Sequence, residues 1–284
     1  MEQSRMEQTR MEQTRMEQTR TEQTDLRFLC DAHAHIGSRE ELRERRESKI
    51  PSLLCASNPM EADRLAALCA EPENESFLIP TFGLHPWYAD RFRISDMEPF
   101  FSQCSVIGEI GMDSVWCDVP LDIQEKVFTG QLAMASMMKK PVILHTKGQE
   151  KRIASLISEF PNTYLVHWYS SPEFPKQYLE LDCYFSIGPD VWWNPDVRKL
   201  AAGLPADRIL IETDGLGAVT WSFDEAPGEL RSRAAKDASA CVRSSLSYTL
   251  AQTAEIRRLP VEEAGSQIVR NFHTCFKRDC HKSR

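Results

Sequence analysis

From Asp25 onward, short apolar runs of strand length alternate with longer amphipathic or polar stretches, and this happens eight times. The runs are Leu26–Ala32, Ser52–Ala56, Phe77–Gly83, Ser105–Ile110, Pro141–His145, Thr163–His167, Cys183–Ile187 and Arg208–Glu212. Most are continuously apolar, the pattern of parallel strands covered on both faces rather than half-solvated ones. Helix signals fall between them. The clearest covers Leu121–Lys139, where Ile123, Val127, Met134 and Met138 recur on one face and Pro141 ends the segment. Repeated β-then-α units predict a single-domain α/β protein, a (β/α)8 TIM barrel. A doubly wound open sheet fits the same periodicity. The stretch from Gly228 onward reads as helical, with Val269, Phe272 and Phe276 placed to pack its end on the barrel.

The first 24 residues stand apart. They repeat the five-residue unit MEQTR with Met as the only apolar residue. Such a segment cannot bury enough surface to offset its ordering entropy, so a disordered or frayed appendage is expected before a barrel spanning 25–284. It reads as a tandem duplication in the coding sequence, with Met1, Met6, Met11 and Met16 as alternative starts.

Charge and composition exclude several classes. No apolar run reaches the 18 residues of a membrane span, and the N-terminus has no apolar core of a secretory signal. Nine cysteines without a C-x-x-C pattern, in a chain lacking an export signal, predict reduced thiols and a cytoplasmic protein. The formal charge of −8 argues against nonspecific coating of nucleic acid.

The chemistry lies where the apolar runs end. The first closes on Asp31-Ala32-His33-Ala34-His35, and alternation along a strand points His33 and His35 the same way. The fourth carries Glu109 between Gly108 and Gly111, glycines that permit close backbone approach. The fifth ends in His145, the sixth in His167, and the eighth in Glu212-Thr213-Asp214. A single histidine after a strand is ordinarily a packed rim residue, and a single carboxylate there ordinarily caps the next helix. Four of seven histidines and two carboxylates at strand ends make a different case. Strand C-termini are where barrel enzymes place their chemistry, and this donor set suits two divalent cations (Zn, Mn, Mg, Fe or Co).

The segments DAHAH at 31–35, GLHPW at 83–87, GEIGMD at 108–113, PVILHTKG at 141–148, VHWYS at 166–170 and ILIETDG at 209–215 resemble the TatD family of metal-dependent hydrolases. The resemblance runs from Leu26 to Phe276. It implies that His33 and His35 bind one metal beside Asp214, that Glu109 bridges both metals, and that His145 and His167 bind the second. It implies too that His85 touches substrate. Two divalent ions with Glu109 and Asp214 would leave the centre at about +2, suited to an anionic phosphodiester. Asp214 is placed to orient the attacking water and take its proton, so Glu109 and Asp214 are the expected catalytic carboxylates.

The walls depart from the family pattern. Thr146-Lys147 follows the fifth-strand histidine where Ser-Arg is common, so Lys147 supplies charge to substrate without the bidentate fork of arginine. Trp168-Tyr169 follows His167, and Gly215-Leu216 follows Asp214. Trp192, Trp193 and Trp221 fall in loops expected to border the mouth, where they stack on bases or merely cover the barrel. The resemblance implies a deoxyribonuclease or exonuclease acting on single-stranded DNA or a small phosphodiester. An amide- or ester-cleaving barrel is the alternative. A non-catalytic metal-binding module is a third reading. Lys147, Lys151 and Arg152 form the basic group that favours an anionic substrate, unless they are only a solvated helix face.

Overall fold

A computed structural model describes residues 24–173, 175–228 and 240–277. The repeat before Thr24 lies outside these residues, as does the segment 229–239 of the helical stretch expected after Gly228. Eight strands, β1 (Asp31–His35), β2 (Ser52–Ala56), β3 (Leu78–Phe82), β4 (Val106–Asp113), β5 (Val142–Lys147), β6 (Tyr164–Val166), β7 (Tyr184–Ile187) and β8 (Ile209–Ile211), pair in chain order. Every pairing is parallel. At the seam, Asp214 N–H donates to His33 O at 3.0 Å and Thr213 N–H to the Asp31 carboxylate at 2.9 Å, which brings the end of β8 onto β1. The fold is the (β/α)8 barrel, and the open sheet is excluded.

The helices follow from their caps and breakers. Ser38 caps α1 (Arg39–Ser48), and Asn58 with Pro59 at the first position starts α2 (Pro59–Cys69). Next come α3 (Ile94–Phe101), α4 (Leu121–Met138), α5 (Glu150–Ile157), α6 (Lys176–Glu180), α7 (Pro195–Gly203), α8 (Leu216–Asp224), α9 (Val242–Arg257) and α10 (Val261–Cys275). As expected, Phe272 and Phe276 are buried against the barrel; Val269 is partly so. Each buried phenylalanine contributes roughly 1.5–3 kcal/mol.

Two readings of the sequence need correction. The first strand begins at Asp31 rather than Leu26, because Asp25 accepts from Arg27 N–H and caps a 3-10 turn over Leu26–Phe28. The most buried face of α4 is Gln124, Phe128, Gln131, Leu132 and Ala135, flanked by the partly buried Val127, Met134 and Met138. The two glutamines win that face by bonding main chain. Gln131 exchanges two bonds with Leu84, while Gln124 donates to Asp113 O and Val119 O and accepts from Asp113 N–H. Hydrophobic periodicity has no means of showing this.

The charged first crossover is also informative. Arg45 of α1 is completely buried, donating to Asp31 at 2.9 Å, Ser52 at 2.8 Å and Glu41 at 2.9 Å. Asp31 in turn accepts from the Thr213 backbone and hydroxyl. This network ties α1, β1 and the end of β8 together under the barrel mouth.

Candidate active site

Strand alternation puts Asp31, His33 and His35 on the barrel interior, while Ala32 and Ala34 face the helices. On β4, Gly111 pairs in register with His145 of β5. A Cβ at Gly111 would fall 1.9 Å from His145 O, so glycine is what lets these two strands meet. Asp214 has φ +58, in the left-handed region that aspartate tolerates better than most side chains. That backbone turn follows the Thr213 anchor and directs the carboxylate back over β1.

Glu109 is the centre of the arrangement. Its Oε2 lies 3.4 Å from His33 Nε2 and 3.3 Å from His35 Nε2. Its Oε1 lies 2.6 Å from His145 Nδ1, 2.9 Å from His167 Nε2 and 3.6 Å from His85 Nε2. Asp214 Oδ1 closes the outer side, 3.2 Å from His33 Nε2 and 3.6 Å from His35 Nε2. Burial works against ionisation of Glu109, but His167, His85, His145 and His33 outweigh it and hold the carboxyl well below the usual range. Burial likewise opposes ionisation of Asp214, yet His33 brings its pKa down to about 2. Both are carboxylates at neutral pH.

This donor set fits divalent cations. Three overlapping groups offer atoms within 4.8 Å of one another: His33, His35 and Asp214; His33, Glu109 and His167; His85, Glu109 and His145. His33 Nε2 and Asp214 Oδ1 are buried without a hydrogen-bond partner, and they face each other. Unpaired buried polar atoms cost about 1–3 kcal/mol each, a penalty that a cation between them would remove.

Three histidine nitrogens turned away from Glu109 face outer side chains. His145 Nε2 is hydrogen-bonded to Asp113 Oδ2 at 3.0 Å and His33 Nδ1 to Cys55 Sγ at 3.2 Å, while His167 Nδ1 lies 3.4 Å from Glu212 Oε1 without a hydrogen bond. Outer partners of this kind fix the tautomer and orientation of a metal-binding imidazole. Sequence reading passed over all three. Asp113 and Glu212 stood in the quoted segments GEIGMD and ILIETD, whereas Cys55 in an apolar strand gives no signal.

His85 differs from the other histidines. Its Nδ1 accepts from Trp87 N–H at 3.3 Å, so in the neutral ring the proton sits on Nε2, the nitrogen that faces the site. Burial lowers its pKa to about 4, which keeps the ring neutral. A protonated Nε2 donates a hydrogen bond rather than binding a cation. Lys147 donates to Trp168 O at 2.9 Å and Ser170 Oγ at 3.1 Å at the rim. Lys151 and Arg152 do not join it. They are exposed and paired with Glu173 and Glu125, the solvated-face alternative.

The cluster opens into a cavity of about 750 Å³ whose walls include Trp87, Trp116, Trp168, Trp193 and Trp221. Trp193 and Trp221 thus border the mouth as expected, though Trp221 belongs to α8 rather than a loop. Trp192 instead packs on Phe223, away from the cavity.

A parallel barrel with imidazoles and carboxylates gathered at the carboxyl ends of its strands is the architecture of a metal-dependent hydrolase. Residues 30–277 match the TatD related DNase family, and the chain belongs to that family. YabD of Bacillus subtilis, an uncharacterized metal-dependent hydrolase, is 24% identical over 267 residues, covering 88% of this chain and 99% of YabD. The 3'-5' ssDNA/RNA exonuclease TatD of a Rahnella strain is 29% identical over 199 residues, covering 63% of this chain and 71% of that protein. The crystal structure of Escherichia coli YjjV, a TatD homologue, has the same fold, with a TM-score of 0.72 at 21% identity, covering 89% of this chain and 99% of YjjV.

Proposed function

We propose that this metal-dependent hydrolase cleaves phosphodiester bonds in single-stranded nucleic acid, and that residues 25–284 form the catalytic unit. The observation that carries the reading is Glu109, ringed by five histidines from the carboxyl ends of four strands, β1, β3, β5 and β6, with Asp214 opposite. His33, His35 and Asp214 would hold one divalent cation, His145 and His167 the second, and Glu109 would bridge them. Cations held there supply Lewis acidity toward a phosphoryl oxygen and lower the pKa of water to roughly 7.

The chain's own groups do the rest. Asp214, ionised and partly open to the cavity, orients the attacking water and accepts its proton. His85 donates from Nε2 to a non-bridging phosphoryl oxygen, consistent with its neutral, Trp87-fixed ring. Lys147 adds positive charge at the rim as a point donor. Of the three basic residues that favoured an anion in the sequence, it alone faces the cavity, and that suffices to rank a phosphodiester above a neutral amide or ester. Relatives named as a 3'-5' ssDNA/RNA exonuclease and as a 3'-5' RNA nuclease support a nucleic-acid substrate. Among the described residues no helix is long and apolar enough to cross a membrane. The cytoplasm is the proposed location.

The test is hydrolysis of single-stranded DNA, single-stranded RNA and a model phosphodiester with Mg, Mn, Zn or Co, alongside Glu109→Ala. Turnover abolished by the substitution is expected. Turnover of model amides or esters exceeding that of every phosphodiester would overturn the reading.

A further inference from the structure

We propose that Trp116 and Trp221, backed by Trp168, form a stacking face for one unpaired nucleobase beside the catalytic centre, with Lys147 holding the attached phosphate. The inference rests on the phosphodiesterase reading for its substrate class. The three tryptophans come from the loop after β4, the residue following His167 and helix α8. Trp221 stands between the others, its ring centroid 6.0 Å from Trp116 and 6.3 Å from Trp168, at interplanar angles of 81° and 69°.

Trp168 is rigid. Its backbone N–H donates to Glu212 at 2.7 Å, its indole N–H donates to Asp190 at 2.8 Å, and its ring lies against Gly188, where a Cβ would come within 2.7 Å. Trp116 and Trp221 are 53% and 47% exposed. Two half-exposed indoles on a fixed aromatic wall form an apolar surface that core packing does not require. Rings set edge to face do not stack on one another, which leaves π surface for a planar ligand.

The neighbouring cation narrows the ligand. Lys147 Nζ lies 5.4 Å from the Trp116 ring and spends two of its three donors on Trp168 O and Ser170 Oγ. The third remains for an anion. Lys147 is two residues beyond His145 on β5, so it extends from the catalytic cluster toward the indoles. A planar ring carrying a phosphate within reach of a phosphodiester-cleaving centre is a nucleotide. Bases inside a duplex are already stacked on their neighbours, so the ligand is an unpaired one. Stacking of this type tolerates any base.

The full-chain protein, loaded with metal, would be titrated with a fluorescein-labelled, phosphorothioate-linked four-residue oligothymidylate that resists cleavage. A base-free tetrahydrofuran backbone of the same length is the comparison. Fluorescence anisotropy should show the base-free backbone binding roughly 5- to 100-fold more weakly. Trp221→Ala and Trp116→Ala should erase most of that difference, and Trp221→Phe should keep it. Equal binding of the two oligomers by wild type, or a difference that persists in both alanine variants, overturns the proposal. Cleavage of ordinary oligothymidylate is scored separately. Base-dependent binding with no cleavage under any metal would remove the phosphodiesterase reading and leave the stacking face standing.

Discussion

Replacing Arg45 with methionine tests whether the barrel mouth depends on a buried ion network. Arg45 and Asp31 are both fully buried, and Glu41 is 3% exposed. Arg45→Met removes the donors to Asp31, Glu41 and Ser52, and a weaker one to Thr213 at 3.4 Å. Burial already raises the Asp31 pKa, with Arg45 and Thr213 opposing the rise. Without Arg45, two carboxylates are left buried with no cation, a change that costs about 3–5 kcal/mol. That is a large share of the roughly 5–15 kcal/mol that holds a typical domain folded. Urea unfolding followed by circular dichroism at pH 7 measures it. A second variant separates charge from packing. Arg45→Met combined with Asp31→Asn and Glu41→Gln has no buried charge to strand, so most of the loss should be recovered. The pH dependence has a required sign. In the single variant the folded-state pKa of Asp31 rises further above its unfolded value, so stability should return as pH falls from 7 toward 5. A single variant within 1 kcal/mol of wild type, or a triple variant no better than the single, would refute the reasoning.

Asp113→Asn should weaken binding of the tighter metal by roughly 10- to 100-fold, because it alters the partner of His145 Nε2; Glu109→Gln should exceed that loss, both read by competition with a chromophoric chelator. Gly111→Ala should destabilise the fold by about 1–3 kcal/mol or more, since the added methyl meets His145 O; unchanged thermal unfolding would contradict that contact. Burial raises the Asp190 pKa from 3.8 to about 6, so the folded state holds this proton more tightly than the unfolded state. Its contribution is therefore fully present below about pH 3.8 and lost by about pH 6, a fall of about 3 kcal/mol. Asp190→Asn should remove that step, and identical pH profiles of urea stability for variant and wild type would count against it.

The legible features share one physical cause. Parallel barrel strands are covered on both faces, so Leu53, Leu54, Ile143, Leu144, Leu165 and Val166 form unbroken apolar runs, and a histidine or carboxylate ending such a run stands out. His33, His35, Glu109, His145, His167 and Asp214 were visible in this way. What stayed hidden depends on contacts distant in sequence or on local capping. Asp25 turns Leu26–Phe28 away from the sheet through one side-chain bond. Gln124 and Gln131 occupy a helix face that apolar residues would have marked. Arg45 sits in a charged helix that composition assigns to solvent, yet it is enclosed by residues 14 and 168 positions away. Trp116 carries no pattern of its own; only the approach of β4, β6 and α8 makes it part of a wall.

The electrostatics of the centre change once the outer partners are counted. Glu109 and Asp214 alone, with two divalent cations, suggested a surplus of about +2 at the site. Asp113 and Glu212 contribute two further buried carboxylates, in contact with His145 and His167. Four carboxylates then match two divalent cations, and on the cavity walls Lys147 and Arg64 stand against Asp190 and Glu61, so no local surplus remains. A chain with net charge −8 adds no long-range attraction of its own. Recognition of an anionic phosphodiester therefore has to come from short-range contacts: direct approach to the cations, the donors of His85 and Lys147, and the indole faces beside them. An anionic site of this kind holds its cations firmly and presents little general attraction to polyanions. That balance favours engagement of a single accessible phosphate and its unpaired base over lateral association with a duplex.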